Sequence, residues 1–174
     1  PKMKSFLSEN GPWSQLVSLK NIKLIALEEN KTISPSSQIF VTPIRVPHRD
    51  EFSETVGFRI QGPKKSVLFI PDIDKWSKWK RNLKQELEKV DYAFIDATFF
   101  DAEEINHRQI AEIPHPLVKE TAAYLSSTPK ALKNKVYFIH MNHTNPLLNP
   151  KSEASKWVIR QGYHIAVKGQ QFQL

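Results

Sequence analysis

Short apolar runs separated by polar turns dominate the first half of the chain. Four of them are rich in Val, Ile and Phe and have the length of a β-strand, and they are IKLIALEE, QIFVTPIRV, TVGFRIQG and SVLFIPD. The last two are joined by GPKK, which favours a hairpin. The earlier segment PWSQLVSLKN predicts a short helix with its proline in the first turn. The pattern therefore predicts a helix followed by successive strands of a sheet.

Helices and strands alternate in the second half of the chain. One amphipathic helix is predicted in KWKRNLKQELEKV, where the apolar residues at helical spacing are Trp79, Leu83, Leu87 and Val90. A second helix, in HPLVKETAAYLSS, is expected to open at Pro116. The other expected elements are a strand in DYAFIDATF, a strand in KVYFIHM, a helix in PKSEASKWVIRQG and a final hairpin around Gly169. This order predicts a single domain of the layered α/β class.

Three of the predicted strands end in polar residues that can bind a metal. These ends are LFIPDIDKW, AFIDATFFD and YFIHMNH. In layered α/β folds functional groups gather where strands finish. Each ending alone has a simpler explanation, in which an Asp or His caps the next turn. The three together predict a common rim at one edge of the sheet.

The composition narrows the chemistry that such a rim could perform. The 174 residues include no Cys, so disulfides, thiolate metal sites and Cys nucleophiles are excluded. Any metal must then be held by His, Asp, Glu or carbonyl groups. No apolar run approaches the roughly 20 residues of a membrane span, and the start of the chain has no secretory signal pattern. A cytoplasmic protein with no membrane partner is therefore expected.

The charge says little about partners. The formal net charge is +7, from 25 basic and 18 acidic residues. A basic surface can favour anionic partners, but much of this excess lies in a tail, a turn and one helix face. Nucleic acid is therefore not expected as a partner, and the oligomeric state is left open.

No nucleotide-binding or serine-hydrolase motif is present. The chain has no GxGxxG, Walker A or GxSxG pattern, and it has only five glycines. The residues that could do chemistry are His48, Asp50, Asp72, Asp74, Asp96, His115, His140 and His143. Histidines and carboxylates at strand ends suit a divalent metal with an open coordination position.

Several of these residues lie in motifs that match a known family. The segments VPHRDEFSETVGFRI, VLFIPDIDKW, FIDATFFDAEEI, IPHPLV and FIHMNHTNPLLNP resemble, in this order, the pyrroloquinoline quinone biosynthesis protein B family of the metallo-β-lactamase-fold superfamily. The likeness runs from NGPW to the C-terminus. It implies an αββα metallo-β-lactamase-like sandwich.

The resemblance also implies roles for single residues. The wider superfamily includes transfer-RNA processing endonucleases, and their pattern implies His48, Asp72 and His140 as metal ligands, with Asp74 as the alternative to Asp72. His115 matches the helix-opening histidine that assists proton transfer in those relatives. Asp96 stands where they carry a glutamate, either as a catalytic acid or as a carboxylate that orients a neighbouring histidine.

The loop after the last ligand carries further candidates. Asn142, His143 and Asn145 are candidate cofactor-binding or substrate-binding residues. In the alternative reading, the two asparagines fix the loop through bonds from side chain to backbone. His143 is then a solvated turn residue.

One expected motif is absent. Proteins of this superfamily carry an early His-x-His-x-Asp-His motif, or in this family a reduced Asp-x-Asp-His form, and the chain contains neither. Residues 1–174 are therefore expected to be a single partial domain, the C-terminal portion without the first ligand-bearing sheet. The missing N-terminal segment of the same protein is the expected partner, and it would complete the ligands of an iron or zinc ion.

The resemblance leaves three functions open. The first is an iron-dependent oxygenase that hydroxylates the tyrosine of a Glu-Tyr precursor during pyrroloquinoline quinone biosynthesis. The second is a metal-dependent hydrolase of phosphodiesters or esters. The third is a non-catalytic carrier of the finished quinone. The first two predict a small-molecule or short-peptide substrate.

Overall fold

The structure is a computed structural model that describes residues 2–51, 53–105 and 113–174. Within these ranges the strands are β1 (Ile33–Ser36), β2 (Ile39–Arg45), β3 (Val56–Gln61), β4 (Ser66–Ile70), β5 (Tyr92–Asp96), β6 (Val136–Ile139) and β7 (His164–Ile165). The helices are α1 (Lys2–Glu9), α2 (Trp13–Ser18), α3 (Leu83–Glu88), α4 (Val118–Tyr124), α5 (Lys130–Lys133) and α6 (Glu153–Arg160).

The strands form one seven-stranded sheet in sequence order. Strands β1 to β4 are joined by antiparallel pairings, and β4 to β7 by parallel ones. The hairpin predicted at GPKK is confirmed, since β3 and β4 pair antiparallel. Two antiparallel steps separate β2 from β4, so these two strands point the same way. The C-terminal ends of β2, β4, β5, β6 and β7 therefore lie at one edge of the sheet.

Helices cover one face of the sheet and form the core with it. Leu68, Ile95 and Phe138 are fully buried on that face. They belong to one apolar cluster that also contains side chains of α3, α4 and α6, with Val118 and Val158 fully buried. The predicted layered α/β class is confirmed. This helical layer fixes the strands, and through them the loops at their ends.

The opposite face of the sheet carries aromatic side chains. Phe172, in the C-terminal segment, packs edge-on against Tyr92, Phe94 and Tyr137, with ring centroids 5.1, 4.9 and 5.0 Å away. The predicted hairpin around Gly169 is wrong, because the segment after β7 crosses this face and does not return along β7. Gly169 does form a turn, with a φ of +86°. The ring contacts of Phe172 hold this segment against the sheet.

The strand predicted in IKLIALEE is absent. Ile25 and Leu27 in that segment are exposed and lie outside the sheet. The place beside β2 is taken by β1, Ile33–Ser36, which reaches it through a two-residue turn. A short loop costs less closure entropy than a long one, so the nearby and more polar segment forms the pair.

Two predicted helices start later than expected. The helix of KWKRNLKQELEKV covers only Leu83–Glu88, because the side chain of Asn82 caps it by accepting a bond from Lys84 N at 2.9 Å. Trp79 lies before the helix in extended backbone, and its Nε1 donates to Arg45 O at 3.0 Å. Helix α4 begins at Val118, two residues after Pro116. The segment IPHPL is therefore a loop, and it carries His115 at the sheet edge.

Candidate metal centre

The predicted site residues lie at one edge of the sheet, each at the end of a strand or in a loop beside it. His48 follows β2, Asp72 follows β4, Asp96 ends β5, His115 precedes α4 and His140 follows β6. Four residues, namely Asp72, Asp96, His115 and His140, each offer one potential ligand atom, and these four atoms lie within 4.8 Å of one another. His48 joins through Asp72, since His48 Nε2 lies 3.0 Å from Asp72 Oδ1. The common rim predicted from the strand endings thus forms around these side chains.

The pair of His48 and Asp72 has the features of two ligands facing one cation. Both His48 Nε2 and Asp72 Oδ1 are buried, and neither has a hydrogen-bond partner within the described part of the chain. They lie 3.0 Å apart without the alignment of a hydrogen bond. Buried polar atoms that lack a partner are costly, and a cation between them would satisfy both. The donor set of the site therefore fits a divalent metal.

Asp96 is the buried anchor of the site. Its side chain is 0% exposed. Oδ2 accepts from Ile73 N at 3.2 Å and lies 2.8 Å from His115 Nδ1, while Oδ1 accepts from Thr98 N and Thr98 Oγ1, both at 2.7 Å. Burial alone would raise the pKa of Asp96, but the nearby imidazoles of His115 and His140 and the bond from Thr98 outweigh burial and hold this pKa below its usual value. Asp96 is therefore an ionised carboxylate whose oxygens are already engaged.

His140 is the most exposed of the clustered histidines and has unusual backbone. Its side chain is 45% exposed, against 15% for His48 and for His115. Its φ is +62°, in the left-handed region that L-residues other than Asn, Asp and Gly seldom adopt. Flanking bonds from Ala97 N to Ile139 O, at 2.9 Å, and from Asn142 N to Thr98 O, at 3.0 Å, hold this backbone. Strain of this kind is concentrated at functional sites.

Asp74, the alternative ligand, is engaged elsewhere. Its Oδ2 pairs with Lys78 Nζ at 2.7 Å, and its Oδ1 accepts from Lys75 N at 2.6 Å. Burial by itself would raise the pKa of Asp74, but the bonds from Lys78 and Lys75 bring it below the usual value. The cluster of potential ligands includes Asp72 and not Asp74. The geometry therefore favours Asp72 as the carboxylate ligand.

The loop after His140 holds the other candidates. Asn145 is buried, its Nδ2 donates to Ala97 O at 2.7 Å, and its Oδ1 accepts from Leu147 N at 2.9 Å. Asn142 Oδ1 lies 3.1 Å from Nδ1 of His143, and both residues are at the surface. Asn145 therefore fixes the loop against β5, as in the alternative reading. His143 remains available to a ligand, whereas both ends of the Asn142 amide are already engaged within the loop.

Sequence reasoning missed Thr98. Its Oγ1 lies within hydrogen-bond distance of Asp96 Oδ1, His115 Nδ1 and His140 Nδ1. A signal was present, because an Asp carboxylate commonly accepts from the backbone N–H two residues further on, as Asp96 does from Thr98 N. The pattern IDATF contains this spacing. The contacts of Thr98 with two histidines depend on the tertiary fold and could not be predicted from the sequence.

The charges of the site make the metal-free chain sensitive to pH. Asp96 raises the pKa of His140 above 6.5, although burial opposes it. The stability that protonated His140 contributes is fully present below pH 6.5 and is lost as the pH rises through the raised pKa. The pKa of Asp96 is lowered, so the stability that its ionised form contributes is fully present above the ordinary pKa of 3.8. This stability is lost as the pH falls through the lowered pKa. We expect the urea midpoint of chelator-treated chain to be highest between pH 3.8 and 6.5.

The substitution His140→Gln tests the upper part of this profile. Without a titrating ring at position 140, the fall in the urea midpoint above pH 6.5 should become shallower. His164→Gln is the matched control, because His164 bonds to Asn134 outside the cluster. Parallel profiles for wild type and His140→Gln above pH 6.5 would contradict the assignment.

The fold and the site together define the class of protein. A family model described as the beta-lactamase superfamily domain matches residues 2–141, and the chain belongs to this family. A curated relative, coenzyme PQQ synthesis protein B of Nitrosococcus oceani, is 25% identical over 132 residues, which are 71% of this chain and 42% of the relative. The predicted membership of the metallo-β-lactamase-fold superfamily is thereby confirmed, and this relative supports the predicted resemblance to the pyrroloquinoline quinone biosynthesis protein B family.

Solved structures agree with this fold. Zinc-bound PqqB of Methylobacterium extorquens superposes with a TM-score of 0.76 at 22% identity, over 100% of this chain and 60% of that one. The metallo-beta-lactamase fold protein YhfI of Bacillus subtilis gives a TM-score of 0.54 at 14% identity, over 84% of this chain and 55% of that one. The chain thus spans less than half of the curated relative and about three fifths of the first structure.

None of the helices in the described ranges is long and apolar enough to cross a membrane.

Proposed function

We propose that the chain provides part of the metal centre of an oxygenase in pyrroloquinoline quinone biosynthesis, which hydroxylates the tyrosine of a Glu-Tyr precursor. The observation that carries the proposal is the pair of His48 Nε2 and Asp72 Oδ1, two buried atoms without a hydrogen-bond partner in the described part of the chain that face each other at 3.0 Å. A potential ligand atom of His140 lies within 4.8 Å of that of Asp72. Two histidines and one carboxylate with open positions are the ligands of non-haem iron(II) oxygenases. The name of the curated relative supports the pathway.

The residues of this chain divide the work of such a centre. His48, Asp72 and His140 would hold the iron, which when bound supplies the activation of dioxygen. His115, whose Nδ1 lies 3.4 Å from Asp72 Oδ1, would hold or move a proton beside the metal. Asp96 is buried and acts through His115, whose ring it orients by the 2.8 Å contact. His143, which is exposed in the loop after His140, would bind the precursor.

The test uses protein loaded with iron(II) under nitrogen and then given a Glu-Tyr peptide, air and ascorbate, which supplies the two electrons that reduce the second oxygen atom of dioxygen to water. We expect oxygen uptake and a product heavier by one oxygen atom, with neither for the zinc-loaded protein. His115→Gln should slow turnover by about 100-fold or more, as expected for loss of a general acid or base. His164→Gln, outside the cluster, should not slow it. Iron-bound protein that leaves the peptide unchanged would overturn the proposal.

A hydrolase is the second candidate, and the pair of His115 and Asp96 favours it. A histidine held by a buried carboxylate is suited to handle the protons of a water attack. Two histidines and one carboxylate also serve as zinc ligands in hydrolases. Zinc-loaded protein that cleaves bis-p-nitrophenyl phosphate, with no oxygen uptake by the iron form, would favour this reading. Binding of the finished quinone without any metal-dependent turnover would favour a carrier.

A further inference from the structure

One hydroxyl group joins the side chains of the site. Thr98 Oγ1 lies 2.7 Å from Asp96 Oδ1, 3.1 Å from His140 Nδ1 and 3.2 Å from His115 Nδ1. For His140 this hydroxyl is the near partner, because Asp96 Oδ1 is 3.8 Å away, beyond hydrogen-bond length. The orientation of the His140 ring therefore depends on Thr98.

Counting protons assigns the direction of each bond. An ionised carboxylate only accepts, so the single Thr98 proton goes to Asp96 Oδ1. The lone pairs of Thr98 Oγ1 then face the two imidazoles, and each ring must donate through Nδ1–H. His115 Nδ1 has a second acceptor in Asp96 Oδ2 at 2.8 Å. Among the described residues, the Thr98 hydroxyl is the one hydrogen-bond partner of His140 Nδ1.

We propose that Thr98 is a positioning residue that keeps Nδ1 of His140 protonated and thereby presents the Nε2 lone pair of this ring to the metal. The nitrogen that a histidine offers to a metal is set by the bond that its other nitrogen makes. The part of the inference that concerns metal affinity rests on the proposed function. The part that concerns the tautomer is a property of the metal-free chain.

The backbone contacts of Thr98 do not need its hydroxyl. Thr98 N donates to Asp96 Oδ1 at 2.7 Å, and Thr98 O accepts from Asn142 N at 3.0 Å and from Asn145 Nδ2 at 3.2 Å. The substitution Thr98→Val keeps the β-branched shape and all three of these bonds. It removes the hydroxyl alone, so the loop should keep its path.

The experiment compares Thr98→Val and Thr98→Ser with wild type, using chain labelled with ¹⁵N at histidine. In the metal-free wild type at pH 8, long-range ¹H–¹⁵N spectra should show the Nδ1–H tautomer at both His140 and His115. In Thr98→Val the Nε2–H tautomer should become populated at His140, while His115 keeps Nδ1–H through Asp96. Thr98→Ser retains a hydroxyl and should restore the wild-type spectrum.

Zinc affinity, measured by competition with a chromophoric chelator, gives the second readout. Loss of a group that orients a ligand typically costs about 10- to 100-fold in metal affinity, so Thr98→Val should weaken zinc binding by at least about tenfold and Thr98→Ser should recover it. Thr128→Val is the matched control, because Thr128 Oγ1 is buried without a hydrogen-bond partner in the described structure. It should change neither the spectrum nor the affinity.

Two results in the histidine spectra would overturn the inference. One is an Nε2–H tautomer at His140 in wild type, and the other is an Nδ1–H tautomer that survives in Thr98→Val. A wild type that binds no zinc would count against the proposed function, and the histidine spectra would still decide the role of Thr98. A loss of affinity in Thr98→Val that Thr98→Ser does not rescue would also overturn it, since a hydroxyl would then not be the cause.

Discussion

Asp72→Ala is expected to weaken the binding of zinc or iron(II) by more than about 100-fold. Loss of a residue that only orients a ligand lowers metal affinity by at most about 100-fold, and Asp72 is proposed as a ligand itself. Asp72 Oδ1 faces His48 Nε2 at 3.0 Å, and its side chain also lies 3.4 Å from His115 Nδ1. Removing this carboxylate deletes the one negatively charged ligand of the proposed set. Neutral imidazoles alone bind a divalent ion less well. Chelator competition on purified protein measures the effect.

Asp74→Ala is the control for this substitution. Asp74 is the same residue type two positions away, but it pairs with Lys78 at 2.7 Å and lies outside the cluster of potential ligands. Its removal should lower stability while leaving metal affinity near that of wild type. Retained affinity in Asp72→Ala together with lost affinity in Asp74→Ala would show that the wrong carboxylate had been chosen.

Asp96→Ala is expected to have the largest effect on stability, with a loss of about 3–5 kcal/mol in the free energy of unfolding, as for other buried charges that lose their partner. The carboxylate accepts from Ile73 N and Thr98 N and lies 2.8 Å from His115 Nδ1. Alanine would leave these buried donors unsatisfied. Urea denaturation of the metal-free protein at pH 6 measures the loss without any contribution from bound metal.

Asp50→Ala gives the matching surface control. Asp50 pairs with the exposed Arg45 at 3.2 Å, and such surface ion pairs contribute about 0–1 kcal/mol. If Asp96→Ala cost no more than Asp50→Ala, Asp96 would not be the anchor of the site. The proposed route of its action through His115 would then fail as well.

The sequence predicted the parts of the fold that local pattern controls. The strands β4 to β6 have continuous apolar runs bounded by turns, and their polar endings correctly predicted a shared edge. The strand in IKLIALEE was wrong because the apolar run has no partner strand there, and β1 forms instead from the polar segment ISPS. Strand pairing depends on which segment is closest, and propensity carries no information about that.

The site was predicted in its residue types and only partly in its bonds. Strand endings and motif resemblance pointed to Asp72, His115 and His140 before any geometry was known. They did not indicate that Asp74 pairs with Lys78 or that Thr98 contacts two rings. Those contacts depend on the side-chain directions at strand ends, where the alternation of a strand no longer applies.

The left-handed backbone at His140 has a consequence for how this position would change under selection. A residue with φ of +62° costs less as glycine or asparagine than as histidine. In a library screened only for expression and folding, glycine and asparagine should therefore enrich at position 140. In the same library screened for metal retention, histidine should persist. Divergence of the two pools at this one position would separate the demands of the fold from those of the chemistry.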